Sequence, residues 1–203
     1  HNCLVGSEMC IRDRSWFNGW TSREITPVGG LSRDEGVRDN SSLEALSKLK
    51  PVFMQDGIVT AGNSSQVSDG AAALLICSKE AAEDNGWPVL ARIVDFETSG
   101  VEPSRVMSAP IPCIEALLSR AELSAEDIDL YEHNEAFATA SCGIKSHFDI
   151  PERKFNIQGG AIAIGHPLGA SGARCLMSLV SSLQRTDGAV SYTHLRAHET
   201  VVH

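Results

Sequence analysis

The chain has 203 residues and is acidic, with 17 Lys and Arg against 26 Asp and Glu and a formal charge of −9. This charge argues against nucleic-acid binding, which needs a basic face. A content of 42% hydrophobic and 21% charged residues is typical of a globular protein with one substantial core or two smaller ones.

The cysteines and the apolar runs indicate whether the protein has a metal site, a membrane span or a signal peptide. The six cysteines include neither a Cys-x-x-Cys pair nor the spacing of a metal site. Most of them fall in apolar or helical patterns, as packed and reduced thiols do. No apolar run has the length of a membrane span, and charges interrupt the first residues where a signal peptide is apolar. We therefore expect a cytoplasmic protein without a metal site or a membrane segment.

Strand-like and helix-like patterns alternate along the chain. Segment 56–70 is rich in Gly, Ser and Asn, which indicates a loop. The alternation predicts a layered α/β architecture. The predicted strands are 71–77, 89–97, 128–131 and 155–157, and the predicted helices are 43–48, 78–85, 111–121, 134–148 and 172–184.

The most informative segment is 159–174, GGAIAIGHPLGASGAR, a glycine-rich loop that contains His166. The proline that follows disfavours a helical backbone at His166, and the helix start nearby supplies unpaired N–H groups. Such a loop can present a base to an anionic or thioester substrate. A structural histidine in a tightly packed loop is the alternative. The glycine spacing matches neither a P-loop nor a dinucleotide-binding loop.

A second candidate lies in 128–140, IDLYEHNEAFATA, between a predicted strand and a predicted helix. Asn134 can cap the helix with its side chain. Its amide can instead hold a water or polarise a carbonyl, as an oxyanion site requires. The residues alone leave both interpretations open.

NEAFA together with GGAIAIGHPLGASGAR resembles the thiolase family, the acetyl-CoA acetyltransferases and 3-ketoacyl-CoA thiolases. The resemblance extends over roughly residues 20–188. It implies a thiolase-like α/β fold, a C-terminal domain with a mixed sheet flanked by helices, plus part of the CoA-binding loop domain. The further motifs, in family order, are LEALSKLKPVF (43–53), DGIVTAGNSSQVSDGAAALL (56–75) and ARIVDF (91–96).

The resemblance also divides the chain. Residues 16–70 are expected to be a remnant of the N-terminal and loop domain, and 71–188 the C-terminal domain without its last strands. The end segments 1–15 and 189–203 resemble translated sequencing adapters. We expect them to be foreign or disordered tails that lie outside the fold.

Thiolases cleave a 3-ketoacyl-CoA with CoA, or condense two acyl-CoA molecules, through a cysteine thioester. The resemblance implies that His166 activates a thiol and helps to bind the thioester oxygen. It implies that Asn134 holds a water that completes the oxyanion site. Coenzyme A is then a substrate, no separate cofactor is expected, and the whole enzyme is expected to be a homodimer or homotetramer.

Four more residues are implied as substrate contacts. Ser65 matches a serine that hydrogen-bonds the pantetheine arm, although a turn serine is the alternative. Phe53 and Phe137 match residues that line the CoA channel, and core packing explains them equally well. Met107 matches a pocket methionine, next to a loop one residue shorter than the usual pattern.

The motifs present in this chain include neither of the family's two catalytic cysteines. The nucleophile belongs to the N-terminal half, and the second lies in a Cys-x-Gly-Gly-Gly strand where 187–195 reads DGAVSYTHL. We therefore predict no thiolase turnover from this chain alone; thioester exchange that survives alkylation of every cysteine would contradict this.

Two alternative functions stay open. One is a non-catalytic acyl-CoA or lipid-binding module on the same scaffold, which the missing thiols would fit. The other is a ketoacyl-synthase-like condensing enzyme, which shares the fold and a Gly-His loop. That alternative is disfavoured because those enzymes use a second histidine where this chain has Asn134.

Overall fold

The computed structural model describes residues 18–20, 24–33, 35, 42–186, 188, 190–195 and 198–202. Within these residues, three short 3-10 turns join the main elements at Pro103–Ser108, Ala125–Asp127 and Glu152–Lys154. The helices are α1 (Leu43–Ser47), α2 (Lys79–Asn85), α3 (Pro110–Ala121), α4 (Ala138–Phe148), α5 (Ala161–Ile164) and α6 (Ser171–Thr186). The strands are β1 (Ile93–Thr98), β2 (Leu130–His133), β3 (Ser191–Leu195) and β4 (His198–Val202).

The four strands form one mixed sheet in the order β1-β4-β3-β2. β2 and β3 are parallel, whereas β4 is antiparallel to both of its neighbours, β1 and β3. Helix α6 packs on β2 and β3, and α3 packs on β1 and β4. The predicted α/β architecture with a mixed sheet flanked by helices is therefore confirmed.

Strand β2 lies between two hydrophobic layers because successive side chains of a strand point to opposite faces. Tyr131 packs on one side with α3 and α4, in a cluster that includes Ile114 and Ile144. Leu130 packs on the other side with Leu179 and Leu183 of α6. All four residues of β2 are buried, so the polar side chains at its end are held in a rigid and largely dry environment.

The prediction that 189–203 lies outside the fold is wrong for the backbone of β3 and β4. Asp129 and Val190 exchange two hydrogen bonds, from Asp129 N to Val190 O at 2.8 Å and from Val190 N to Asp129 Oδ2 at 3.0 Å. This exchange aligns β3 beside β2, and β4 then pairs with β3 and closes onto β1. The expectation that residues 71–188 form the C-terminal domain without its last strands stays a prediction.

Three predicted elements also differ from the observed ones. Segment 71–77 is not a strand, and most of its side chains are exposed. Segment 155–157 contributes a single bridge, between Phe155 and Tyr131. Helix α4 begins at Ala138 rather than at Asn134, with Phe137 at its N-cap and no side-chain capping bond. Helix capping by Asn134, one of the two interpretations of its sequence, is therefore wrong.

Exposed apolar side chains predict that the isolated chain self-associates. Leu75, Ile76, Leu90 and Phe96 are between 64% and 74% exposed, and large apolar patches mark interaction or aggregation surfaces. Light scattering is expected to rise with protein concentration and to fall in a Leu75→Ser, Ile76→Ser double variant. A monodisperse and cooperatively melting native chain would contradict this prediction.

Candidate active site

The polar candidates meet at the end of β2, where the chain leaves the sheet. Asn134 follows the strand directly, and its carbonyl oxygen accepts a hydrogen bond from Ala161 N at the start of α5 (2.8 Å). The backbone N–H of His133 donates to Asn156 Oδ1 at 2.7 Å. These two bonds fix the strand end, so the Asn134 side chain has a defined direction.

His166 lies between α5 and α6 and outside both helices, as predicted. Its ring is half-buried, and its backbone N–H donates to Gln66 O at 3.2 Å. The preceding Gly165 has a φ of 94°, in the left-handed region that favours glycine. This conformation turns the chain so that the His166 ring faces the end of β2.

The two candidates contact each other through their side chains. Asn134 Nδ2 lies 3.2 Å from His166 Nε2. On the other side of the ring, Nδ1 lies 2.6 Å from Ser171 Oγ, and this hydroxyl donates to Pro167 O at 3.0 Å. The amide and the imidazole therefore form one unit, held at both ends, at the edge of the sheet.

A buried ion pair between Arg174 and Glu132 lies behind Asn134. The sequence patterns did not predict it. Arg174 Nη1 donates to Glu132 Oε1 at 2.8 Å, and Arg174 Nη2 donates to Asn134 Oδ1 at 3.0 Å. The available signal was the i, i+3 spacing of Ser171 and Arg174, which places both residues on one face of α6. Glu132 follows an apolar strand pattern and gave no comparable signal.

Loop residues 63–66 connect the two halves of the site. Ser65 N donates to Ala136 O at 2.8 Å, and Ala138 N donates to Asn63 O at 3.0 Å. The same loop accepts the backbone bond from His166. Ser65 is half-buried beside the 134–138 segment, so the structure brings this predicted contact residue next to the Asn134–His166 pair.

Two of the predicted apolar contact residues meet near this loop. The rings of Phe53 and Phe137 lie 6.0 Å apart in an edge-to-face arrangement, and Phe53 is 70% exposed. Met107 lies in the 3-10 turn Pro103–Ser108, which packs against α4. The Met107 side chain is 42% exposed, and its role in a pocket stays a prediction.

The four cysteines of the described residues are free thiols, and two are poor nucleophiles. Cys175 Sγ lies 3.9 Å from Asn134 Oδ1, yet burial raises the pKa of this thiol to about 12. Burial also raises the pKa of Cys142 on α4. Neither thiol has the lowered pKa of an activated cysteine. These surroundings are those of packed rather than catalytic cysteines.

The buried and the exposed cysteines are expected to differ in their rates of alkylation. At pH 8 a thiol with a pKa of about 12 is roughly one part in ten thousand thiolate. Exposed Cys77 is therefore expected to react with iodoacetamide at least about a hundredfold faster than buried Cys175. Mass spectrometry of peptides from a time course measures both rates, and equal rates would contradict the assignment.

Neither a metal site nor a membrane-spanning helix is found in the part of the chain that the structure describes. Within the described residues, no group of His, Cys, Asp and Glu side chains is arranged to hold a metal ion. In the same part of the chain, no helix has both the length and the apolar character needed to cross a membrane.

Comparison with known proteins tests the resemblance directly. The family model of the thiolase C-terminal domain matches residues 87–197, and that of the N-terminal domain matches residues 17–80. A probable acetyl-CoA acyltransferase of Staphylococcus aureus (strain NCTC 8325 / PS 47) is 43% identical over 179 residues. This match covers 84% of the chain but 46% of the relative.

Solved structures give the same result. The acetyl-CoA acetyltransferase of Bacillus anthracis superposes with a TM-score of 0.92 at 31% identity, covering 99% of this chain and 54% of that one. Human mitochondrial 3-ketoacyl-CoA thiolase superposes with a TM-score of 0.87 at 36% identity, with the same two coverages. The chain spans about half the length of these proteins. Over that half it has their fold. It belongs to the thiolase family.

Proposed function

We propose that this chain carries the base and the oxyanion site of an enzyme that transfers acyl groups between CoA thioesters. The reaction is thiolytic cleavage of a 3-ketoacyl-CoA, or the Claisen condensation of acyl-CoA molecules. The observation that carries the proposal is the contact of 3.2 Å between Asn134 Nδ2 and His166 Nε2. An amide donor and an imidazole side by side are what thioester chemistry needs.

His166 is proposed to act as the base. Its Nε2 takes the proton of a thiol, and the thiolate then attacks the carbonyl carbon of the thioester. The resulting Nε2–H and the Asn134 amide stabilise the negative charge on the carbonyl oxygen, directly or through a bound water. The C–S bond to CoA then breaks, and the departing thiolate recovers the proton. Each such donor contributes on the order of 3 kcal/mol.

The source of the attacking thiol is part of the proposal. Cys175 and Cys142 are disfavoured by their raised pKa values. We propose that the thiol comes from CoA itself or from a nucleophilic cysteine of the whole enzyme. On this account the chain supplies proton transfer and charge stabilisation but not the nucleophilic thiol.

The CoA moiety is proposed to lie along loop 63–66. The Ser65 hydroxyl binds the pantetheine arm, and the edge-to-face pair Phe53–Phe137 forms an apolar wall beside it. Human mitochondrial 3-ketoacyl-CoA thiolase, a relative with 34% identity, was solved in complex with CoA. Met107 is proposed to line the acyl pocket. We further propose a cytoplasmic homodimer or homotetramer as the working form.

Calorimetric titration of the chain with acetyl-CoA tests the proposal. Saturable binding is expected, and Ser65→Ala is expected to weaken it about fivefold, the effect of one ordinary hydrogen bond. Ser108→Ala is the control, because its exposed hydroxyl bonds only a local carbonyl in the described structure. Absence of binding, or equal weakening by both substitutions, would contradict the proposed CoA path.

A further inference from the structure

The orientation of the Asn134 amide follows from its neighbours. A guanidinium group only donates hydrogen bonds. Arg174 Nη2 lies 3.0 Å from Asn134 Oδ1, so the amide oxygen must face Arg174. Glu132, which is 2% exposed, holds the other arm of the same guanidinium at 2.8 Å. The amide NH₂ group is thereby directed at His166.

The tautomer of His166 follows in turn. The Asn134 NH₂ group is a donor, so Nε2 at 3.2 Å must accept with a lone pair. A serine hydroxyl has one proton, and the proton of Ser171 goes to Pro167 O at 3.0 Å. Ser171 Oγ therefore accepts from Nδ1, which lies 2.6 Å away and must carry the imidazole proton. Both sides of the ring require the same tautomer.

We propose that Ser171 and Arg174 are positioning residues that hold neutral His166 as the Nδ1–H tautomer, with the lone pair on Nε2. They lie one turn apart on α6, so the first turn of one helix controls both ring nitrogens. Glu132 anchors Arg174 from the end of β2. Their role in catalysis rests on the proposed function, but the tautomer they select does not.

This selection matters for the proposed base. With the lone pair on Nε2, the imidazole can accept a thiol proton beside the Asn134 amide. The other tautomer would present an N–H group there and would be unable to accept the proton. A hydrogen bond of ordinary strength favours the tautomer that can form it about fivefold over the one that cannot. The bonds to Asn134 and Ser171 together therefore favour the Nδ1–H tautomer by more than tenfold.

Nitrogen-15 NMR of histidine-labelled protein, without ligand and at alkaline pH where imidazoles are neutral, measures the tautomer. The His166 signals are assigned by their loss in His166→Gln. In the native chain we expect a pyrrole-type shift for Nδ1 and a pyridine-type shift for Nε2. Ser171→Ala and Arg174→Met are each expected to move the ratio about fivefold towards Nε2–H, and Arg174→Lys to retain most of the native ratio.

Two further variants keep the test decisive if Arg174→Met does not fold. Asn134→Asp replaces the donor beside Nε2 with an acceptor and is expected to reverse the tautomer to Nε2–H. Ser178→Ala, at a buried serine two turns along α6, is the matched control and should leave the ratio unchanged. A native Nε2–H form, or one ratio shared by the native chain, Ser171→Ala and Asn134→Asp, would overturn the proposal. Because no ligand is present, that failure is distinguishable from a failure to bind acetyl-CoA.

Discussion

Glu132→Ala is expected to lower the free energy of unfolding by about 3–5 kcal/mol, because it leaves the Arg174 guanidinium inside the protein without its carboxylate. The two side chains are 2% and 15% exposed. Because both side chains are largely removed from solvent, water replaces the lost carboxylate poorly. The remaining bonds to Asn134 keep the guanidinium in place, so it cannot simply swing out to the surface. Urea unfolding followed by circular dichroism measures the loss.

The exposed pair between Glu115 and His147 provides the control. Its atoms lie 2.9 Å apart, but the two side chains are 54% and 45% exposed. Glu115→Gln should therefore change stability by no more than about 0.5 kcal/mol. Replacing Glu132 with Leu and Arg174 with Met together should recover part of the stability lost in Glu132→Ala. Equal costs for Glu132→Ala and Glu115→Gln would contradict the burial argument.

Gly165→Ala is expected to cost about 2–4 kcal/mol, from left-handed backbone strain together with overpacking. A Cβ atom at Gly165 would lie 2.2 Å from Ser68 Oγ and 2.8 Å from Ser68 Cβ. The backbone φ of 94° is unfavourable for alanine as well. Relief of this clash would move the loop that presents His166, so affinity for acetyl-CoA should fall together with stability.

Two other glycines serve as matched controls. Gly169 belongs to the same loop, and a Cβ atom there would meet nothing within 4 Å. Gly169→Ala should therefore stay within about 0.5 kcal/mol of the native chain. Gly143 lies inside α4 and also faces open space, so Gly143→Ala should raise stability by about 0.5–1 kcal/mol. Unfolding of Gly165→Ala and Gly169→Ala at the same urea concentration would contradict this prediction.

Local signals predicted several helices well. Ser78 caps α2 through its side chain and Gly86 ends it in the left-handed conformation, so both ends were readable from the sequence. Helix α6 has a strong apolar face and was predicted to within two residues at each end. The motifs around Asn134 and His166 predicted a shared site, and the structure places their side chains in contact. The catalytic roles of these two residues stay predictions.

Features that depend on distant partners were not predictable from local patterns. Segment 71–77 has the apolar character of a strand, but no strand forms there in the structure. Segments 191–195 and 198–202 show little apolar periodicity, yet they pair with β2 and β1 across the sheet. Glu132 and Arg174 lie 42 residues apart in the sequence. Only the fold brings them together.

An NMR titration with acetyl-CoA tests the central claim most directly. The signals observed would be the His166 imidazole and the Asn134 side-chain NH₂ group of the native chain. If this pair receives the thioester oxygen, both signals should shift with one common dissociation constant. Ser65→Ala should raise that dissociation constant. Binding of acetyl-CoA that leaves both signals unmoved would contradict the account.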